Sequence, residues 1–159
     1  MDSINDTEKE VKRPRVHKIL AYSYMSYLFA LILGFIFSAV WPIRVFQNNI
    51  IILNISSVIL LLSSLLILWA QKSTKKFGKE NVTKKSFMKG PYRYMRNPTN
   101  TGLFLASVSF GIIINSPFII GFTLMAFFFS LFVFLKQESL ILEKKYGEAY
   151  LEYKKTVRF

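Results

Sequence analysis

At 159 residues the chain has room for one domain, and 52% of it is hydrophobic, with 16 Phe and a mean hydropathy of +0.34. That is more apolar surface than a soluble domain of this size can bury, so the excess is expected to face lipid. The formal net charge of +12 falls in segments between apolar runs and forms no single patch, which argues against a nucleic-acid reader and for membrane lipids as the surroundings. With no Cys, and with its one histidine, His17, in a polar tail, the chain is expected to have no disulfide, no thiolate nucleophile, no His/Cys metal centre and no Ser-His-Asp triad.

Residues 1–18 mix acids and bases. They are too long and too acidic for the start of a signal peptide, so the first apolar run is expected to be retained. That run, 19–40, stops at Trp41-Pro42 and is about 33 Å long as a helix, enough to cross the hydrocarbon core. A second run, 49–70, is rich in Ile and Leu. After a polar loop, 71–101, residues 102–135 contain no charge. That stretch is too long for one ordinary span. Asn115-Ser116-Pro117 is a turn signal inside it, so the stretch divides into 102–115 and 117–135, two short helices in a hairpin. Each half is short for a span; tilt or a thinned bilayer absorbs the deficit, or the pair is re-entrant. Residues 136–159 are polar again.

Basic segments alternate with nearly uncharged ones. The tail before the first helix, the loop after the second and the C-terminal segment are rich in Lys and Arg, whereas the first link carries only Arg44 and the hairpin turn no charge. Both ends and the middle loop are therefore expected in the cytoplasm. The expected fold is an all-α integral membrane protein, one membrane domain over 1–159, with about four transmembrane helices, the last two a hairpin, and a cytoplasmic amphipathic C-terminal helix. No expected span holds an Asp, Glu, Lys, Arg or His, which disfavours an ion-coupled transporter. The chemistry is expected where the polar residues lie.

Two segments carry it. The first is Gly90-Pro91-Tyr92-Arg93-Tyr94-Met95-Arg96-Asn97-Pro98-Thr99-Asn100-Thr101-Gly102. Asn97 before Pro98 reads as a helix start, an N-cap oxygen followed by proline at the first helical position. Its free N–H groups, with Arg93 and Arg96, would attract an anion. Read without a ligand, these are ordinary interfacial arginines and tyrosines. The second segment runs from Gln137 to Tyr153. Leu142, Tyr146, Tyr150 and Tyr153 share a helical face, Glu138 sits in the first polar turn, and Gly147 breaks or bends the helix. Alone, it reads as an amphipathic helix on the membrane, with Glu148 and Glu152 paired to lysines.

Together the segments resemble the G-P-Y-R-Y-x-R-H-P-x-Y-x-G signature and the E-E-x-x-L-x-x-x-F-G-x-x-Y-x-x-Y ending of the isoprenylcysteine carboxyl methyltransferase and phospholipid methyltransferase families. The resemblance covers the last part of the chain, and the first helix is not diagnostic. It implies a membrane methyltransferase that binds S-adenosylmethionine in a cytoplasmic pocket and admits a lipophilic acceptor from the lipid side. Tyr92, Arg93, Arg96, Pro98 and Gly102 match the first signature; Glu138, Leu142, Gly147, Tyr150 and Tyr153 match the second, with Tyr146 for the usual Phe. Asn97 stands where the family has His, Asn100 where it has Tyr, and Ser139 where it has the second acid.

The resemblance assigns cofactor binding to Tyr92, Arg96, Asn97, Pro98, Asn100, Gly102, Glu138, Leu142, Tyr146 and Tyr150. It assigns the catalytic part to Arg93, Arg96 and Glu138: the arginines position an anionic acceptor and Glu138 holds the cofactor ribose or ammonium. No metal and no nucleic acid are implied. A sterol-reductase-like protein using NADPH and a non-catalytic relative of the methyltransferases are the alternatives. The acceptor (prenylated protein, fatty acid, phospholipid amine or small phenol) and the oligomeric state are left open by the sequence.

Overall fold

A computed structural model describes residues 16–45, 49–74 and 87–157; residues 1–15 of the expected tail and 75–86 of the expected loop 71–101 lie outside the described residues. All the regular structure among them is helical. In chain order it comprises α1 (Val16–Val40), α2 (Ile50–Thr74), a 3-10 turn (Gly90–Arg93), α3 (Pro98–Ile113), α4 (Pro117–Phe129), a π-helical segment (Ser130–Leu135), α5 (Lys136–Tyr146) and α6 (Glu148–Thr156). Three stretches are long and apolar enough to cross a membrane, Ala21–Val40, Ile50–Ser73 and Pro117–Lys144, and Pro98–Ile113 is a shorter apolar helix.

α2 packs along α3, α3 against α4, and α4 along α1, so α1 and α2 flank a central hairpin. The composition of the contacts is inverted relative to a soluble core. Ser23, Ser56, Ser63, Ser107, Ser109, Thr123 and Ser130 are buried, whereas Leu61, Leu65, Met125 and Phe132 are exposed. In lipid, apolar side chains gain nothing by leaving the surface, and small residues let backbones approach closely. Gly34 shows how closely: a Cβ there would lie 2.6 Å from Cα of Ile119 on α4.

The hairpin turn is set by local chemistry. Asn115 adopts a left-handed φ of 59°, and N–H groups of Asn115 and Ser116 return to the carbonyls of Ile112 and Gly111 at 3.0 and 2.9 Å. This Schellman closure satisfies the last carbonyls of α3. Ser116 then caps α4, accepting from the Ile119 N–H at 3.2 Å, with Pro117 at the first turn. Asn115 Oδ1 also accepts from Val45 N–H at 3.1 Å, fastening the chain after α1 to the turn.

Three boundaries differ from the sequence reading. α2 runs on to Thr74, where Ser73 and Trp69 receive the turn at Gly90. α3 starts at Pro98, the helix start read from Asn97-Pro98, so the helix extends ahead of the apolar span expected from 102. α4, the π segment and α5 form one unbroken helical run, so the C-terminal segment begins as a continuation of the last apolar helix. It breaks at Gly147, whose φ of 56° and ψ of −130° end the run, and α6 follows.

Candidate functional site

The signature segment is held by its neighbours. Gly90 has φ of 59°, and a Cβ there would run into Ser73 Oγ of α2, so no larger residue fits without movement. Pro91 is buried, and its carbonyl accepts from the N–H groups of Tyr94 and Met95 at 3.0 and 3.1 Å. From the other side, Tyr153 Oη on α6 donates to the Tyr92 carbonyl at 2.8 Å. α6 is itself fastened by a cluster of Phe87, Tyr150, Tyr153 and Val157, with Leu142 and Tyr146 packed against it. The helical face read from Leu142 to Tyr153 thus exists, divided over two helices and closed on Phe87.

A narrow cleft of about 400 Å³, counting its open mouth, lies between α1, the start of α3 and the last turns of the long helical run. Tyr92, Arg96, Asn97, Thr99, Asn100 and Leu103 form one wall; Phe134, Leu135 and Glu138 form the second; Ser23 and Tyr24 of α1 form the third. Tyr24 is also bonded to α2, its hydroxyl accepting from Gln71 Nε2 at 3.3 Å.

The charged members are Arg96 and Glu138, of opposite sign. Arg96 Nη2 donates to Ser139 Oγ at 3.3 Å, while its Nε is buried with no partner among the described residues. Ser139 donates in turn to Glu143 Oε1 at 3.4 Å and accepts from Tyr150 Oη at 3.5 Å. Glu143 also holds Lys154 Nζ at 2.5 Å, across the break at Gly147. This is the ion pair that the described C-terminal residues show; Glu148 and Glu152, expected to pair with lysines, are exposed. The Tyr92 hydroxyl stays protonated well past neutral pH. Burial pushes its pKa up to about 12, Glu138 adds to the rise, and a hydrogen bond with Thr99 opposes it. It therefore offers an O–H to the cleft.

The structure brings together Tyr92, Arg96, Asn97, Asn100 and Glu138 of the residues expected from sequence. Arg93 is exposed and outside the cleft wall, because the turn directs it outward. Pro98 is the buried first residue of α3. Gly102 lies at the α2 contact, where a Cβ would meet Ile67 Cγ1 at 2.6 Å. Leu142, Tyr146 and Tyr150 belong to the cluster on Phe87 and do not line the cleft. Asn97 occupies the N-cap position of α3, but its side chain makes no cap hydrogen bond; its carbonyl instead accepts from Thr101 N–H at 3.1 Å and Thr101 Oγ1 at 3.2 Å.

Asn100 is the centre of a buried polar group. Its Oδ1 accepts from Ser130 Oγ at 2.8 Å, Tyr27 Oη at 3.0 Å and Ser23 Oγ at 3.5 Å. Sequence reading missed Ser23, Tyr24 and Tyr27. The signal was present: polar side chains one turn apart in an otherwise apolar helix place hydroxyls on one face.

The arrangement defines a class: a helical membrane protein whose charged, aromatic-walled cleft lies at one end of its apolar helices. The sequence profile of the phospholipid methyltransferases matches residues 50–149, from the start of α2 into α6. The chain belongs to the phospholipid methyltransferase family, a family of membrane methyltransferases. Comparison with individually characterised proteins and with solved structures gave no match.

Proposed function

We propose that this protein is a membrane-embedded, S-adenosylmethionine-dependent methyltransferase acting on a lipophilic acceptor, with the cleft as its site on the cytoplasmic side. The observation that carries the reading is the pair Arg96 and Glu138 in one cleft, with Arg96 Nε buried and unpartnered. A buried donor without an acceptor costs about 1–3 kcal/mol, so the cleft is matched to a ligand that supplies one. The amino-acid end of the cofactor has a carboxylate for Arg96 and an ammonium for Glu138. The faces of Tyr24, Tyr92 and Phe134 suit a cationic sulfur and an aromatic base. When bound, the cofactor supplies an electrophilic methyl group.

The chain's own residues align the reactants and exclude water; an in-line displacement needs these more than a histidine base. A lipophilic acceptor is supported by Phe134. Its ring belongs to the cleft wall and stacks on Tyr22 at 6.4 Å and meets Phe129 edge-on at 5.5 Å, and both of those rings are exposed on the apolar surface.

The test is calorimetry in detergent with S-adenosylhomocysteine and with NADPH. Wild-type protein is expected to bind S-adenosylhomocysteine, and Glu138→Gln to weaken binding by about 1.5–3 kcal/mol. Binding of NADPH alone would overturn the proposal in favour of a reductase, and binding of neither in favour of a non-catalytic relative. Membranes incubated with methyl-labelled cofactor then identify the acceptor by the lipid fraction that becomes labelled.

A further inference from the structure

Arg96 and Glu138 carry opposite charge into one cleft, yet no ion pair joins them among the described residues. An arginine beside a carboxylate in a half-buried cleft closes on it unless something else holds the guanidinium. Here Arg96 Nη2 is turned to Ser139 Oγ at 3.3 Å. A guanidinium only donates and a carboxylate only accepts, whereas a hydroxyl does both. Ser139, which is buried, therefore receives from Arg96 and gives its own proton to Glu143 Oε1 at 3.4 Å. These separations are long for hydrogen bonds, so the hold on Arg96 comes mainly from the carboxylate charge, passed on through the hydroxyl dipole.

The Glu143 carboxylate is itself fixed. Lys154 Nζ reaches the same Oε1 at 2.5 Å, and between the two residues the helix breaks at Gly147. Lys154 lies on α6, which Tyr153 Oη and the cluster on Phe87 hold against the signature segment. We propose that Glu143 is a positioning residue: acting through Ser139 it holds Arg96 off Glu138, and its pair with Lys154 makes that hold depend on α6 being docked. The two cleft charges then stay open to the two ends of a zwitterion and do not neutralise each other. This deepens the methyltransferase reading and rests on it for the ligand alone. Glu143 does not line the cleft, and it stands at a position that the closing signature leaves open.

The test separates positioning from fastening. Calorimetry with S-adenosylhomocysteine and thermal melting are run on wild type, Ser139→Ala, Glu143→Gln and the charge swap Glu143→Lys with Lys154→Glu. Glu143→Gln should bind about three- to tenfold more weakly and melt lower. The swap restores an ion pair across Gly147 but sets a cation behind Ser139, so it should regain melting temperature and not affinity. Ser139→Ala leaves the ion pair in place, and it should lose affinity with a melting temperature close to wild type. A swap that regains affinity together with melting temperature would overturn the proposal, because Glu143 would then only fasten α6. Wild-type affinity in Glu143→Gln or in Ser139→Ala would overturn it as well. A second measurement needs no ligand. Once Glu143 is neutral, Arg96 is expected to close on Glu138, so Glu138→Gln should lower the melting temperature more in the Glu143→Gln background than in wild type. Additive effects would overturn the proposal. Failure of wild-type protein to bind S-adenosylhomocysteine, with the non-additive melting retained, would instead strike the cofactor assignment and leave the positioning of Arg96 standing.

Discussion

The contact between α1 and α4 sets two glycines of the same bundle against each other in a single experiment. Replacing Gly34 by alanine puts a Cβ 2.6 Å from Cα and 2.8 Å from Cγ1 of Ile119. Carbon atoms rest at about 3.5–4.0 Å, so the shortfall is about 1 Å, and it is against backbone that no rotamer change can move. α1 must lift from α4. Tyr27 lies about two turns along the same face, and a similar lift there would stretch its 3.0 Å bond to Asn100 beyond useful range.

Overpacking of this kind costs about 1–3 kcal/mol, and the lost hydrogen bond about 0.5–1.5 kcal/mol more. At Gly121, also on α4, a Cβ would meet nothing within 4 Å, so Gly121→Ala gains about 0.5–1 kcal/mol of helix propensity. Thermal melting in detergent reads both. For a chain of this size the expected shifts are a fall of about 3–18 °C for Gly34→Ala and a small rise for Gly121→Ala. If the two substitutions move the melting temperature alike, the α1–α4 approach is not as close as described and the argument for α1 in the site fails with it.

Tyr153→Phe removes the hydroxyl that donates to the Tyr92 carbonyl; it should cost about 0.5–1.5 kcal/mol of stability in chemical denaturation and raise proteolytic cleavage around residues 87–95. Asn97→His should leave the melting temperature nearly unchanged, since the side chain makes no cap bond; a loss of about 1 kcal/mol or more would mean that the cap forms in solution. For orientation, the absence of native cysteine permits single-cysteine labelling at the exposed positions Arg44, Lys89 and Lys144. The Arg44 position alone should react with a membrane-impermeant reagent applied from outside, and external labelling at Lys89 would reverse the assignment.

What the sequence made legible was local. Asn115-Ser116-Pro117 specified its turn because each residue there does a job that needs no distant partner: a left-handed φ, a cap, a first-turn proline. The start of α3 at Pro98 followed in the same way, and Arg96 and Glu138, one from each of two short motifs, line the same cleft. What stayed hidden depended on distance. Ser23 and Ser130 meet across 107 positions, and nothing near either one announces the other. Phe87 collects Tyr146, Tyr150 and Tyr153, so the single helical face read from sequence is divided over two helices that meet on a residue far from them in the chain. At Asn97 the cap position was right, but the side chain makes no cap hydrogen bond.

The π-helical segment Ser130–Leu135 acts as a phase adjuster. Each residue of an α-helix turns the next by about 100°, so a uniform helix would lock the azimuth of Glu138 to that of Ile119 and Ala126, which face α1 and α3. A stretch wound with i→i+5 spacing turns less per residue and shifts everything beyond it. The part of the helix that meets the bilayer and its partners, and the part that carries Phe134, Leu135 and Glu138, are therefore offset from the bearing a uniform α-helix would give. One continuous helix serves two surroundings, its two halves held at a fixed angular offset by the π segment.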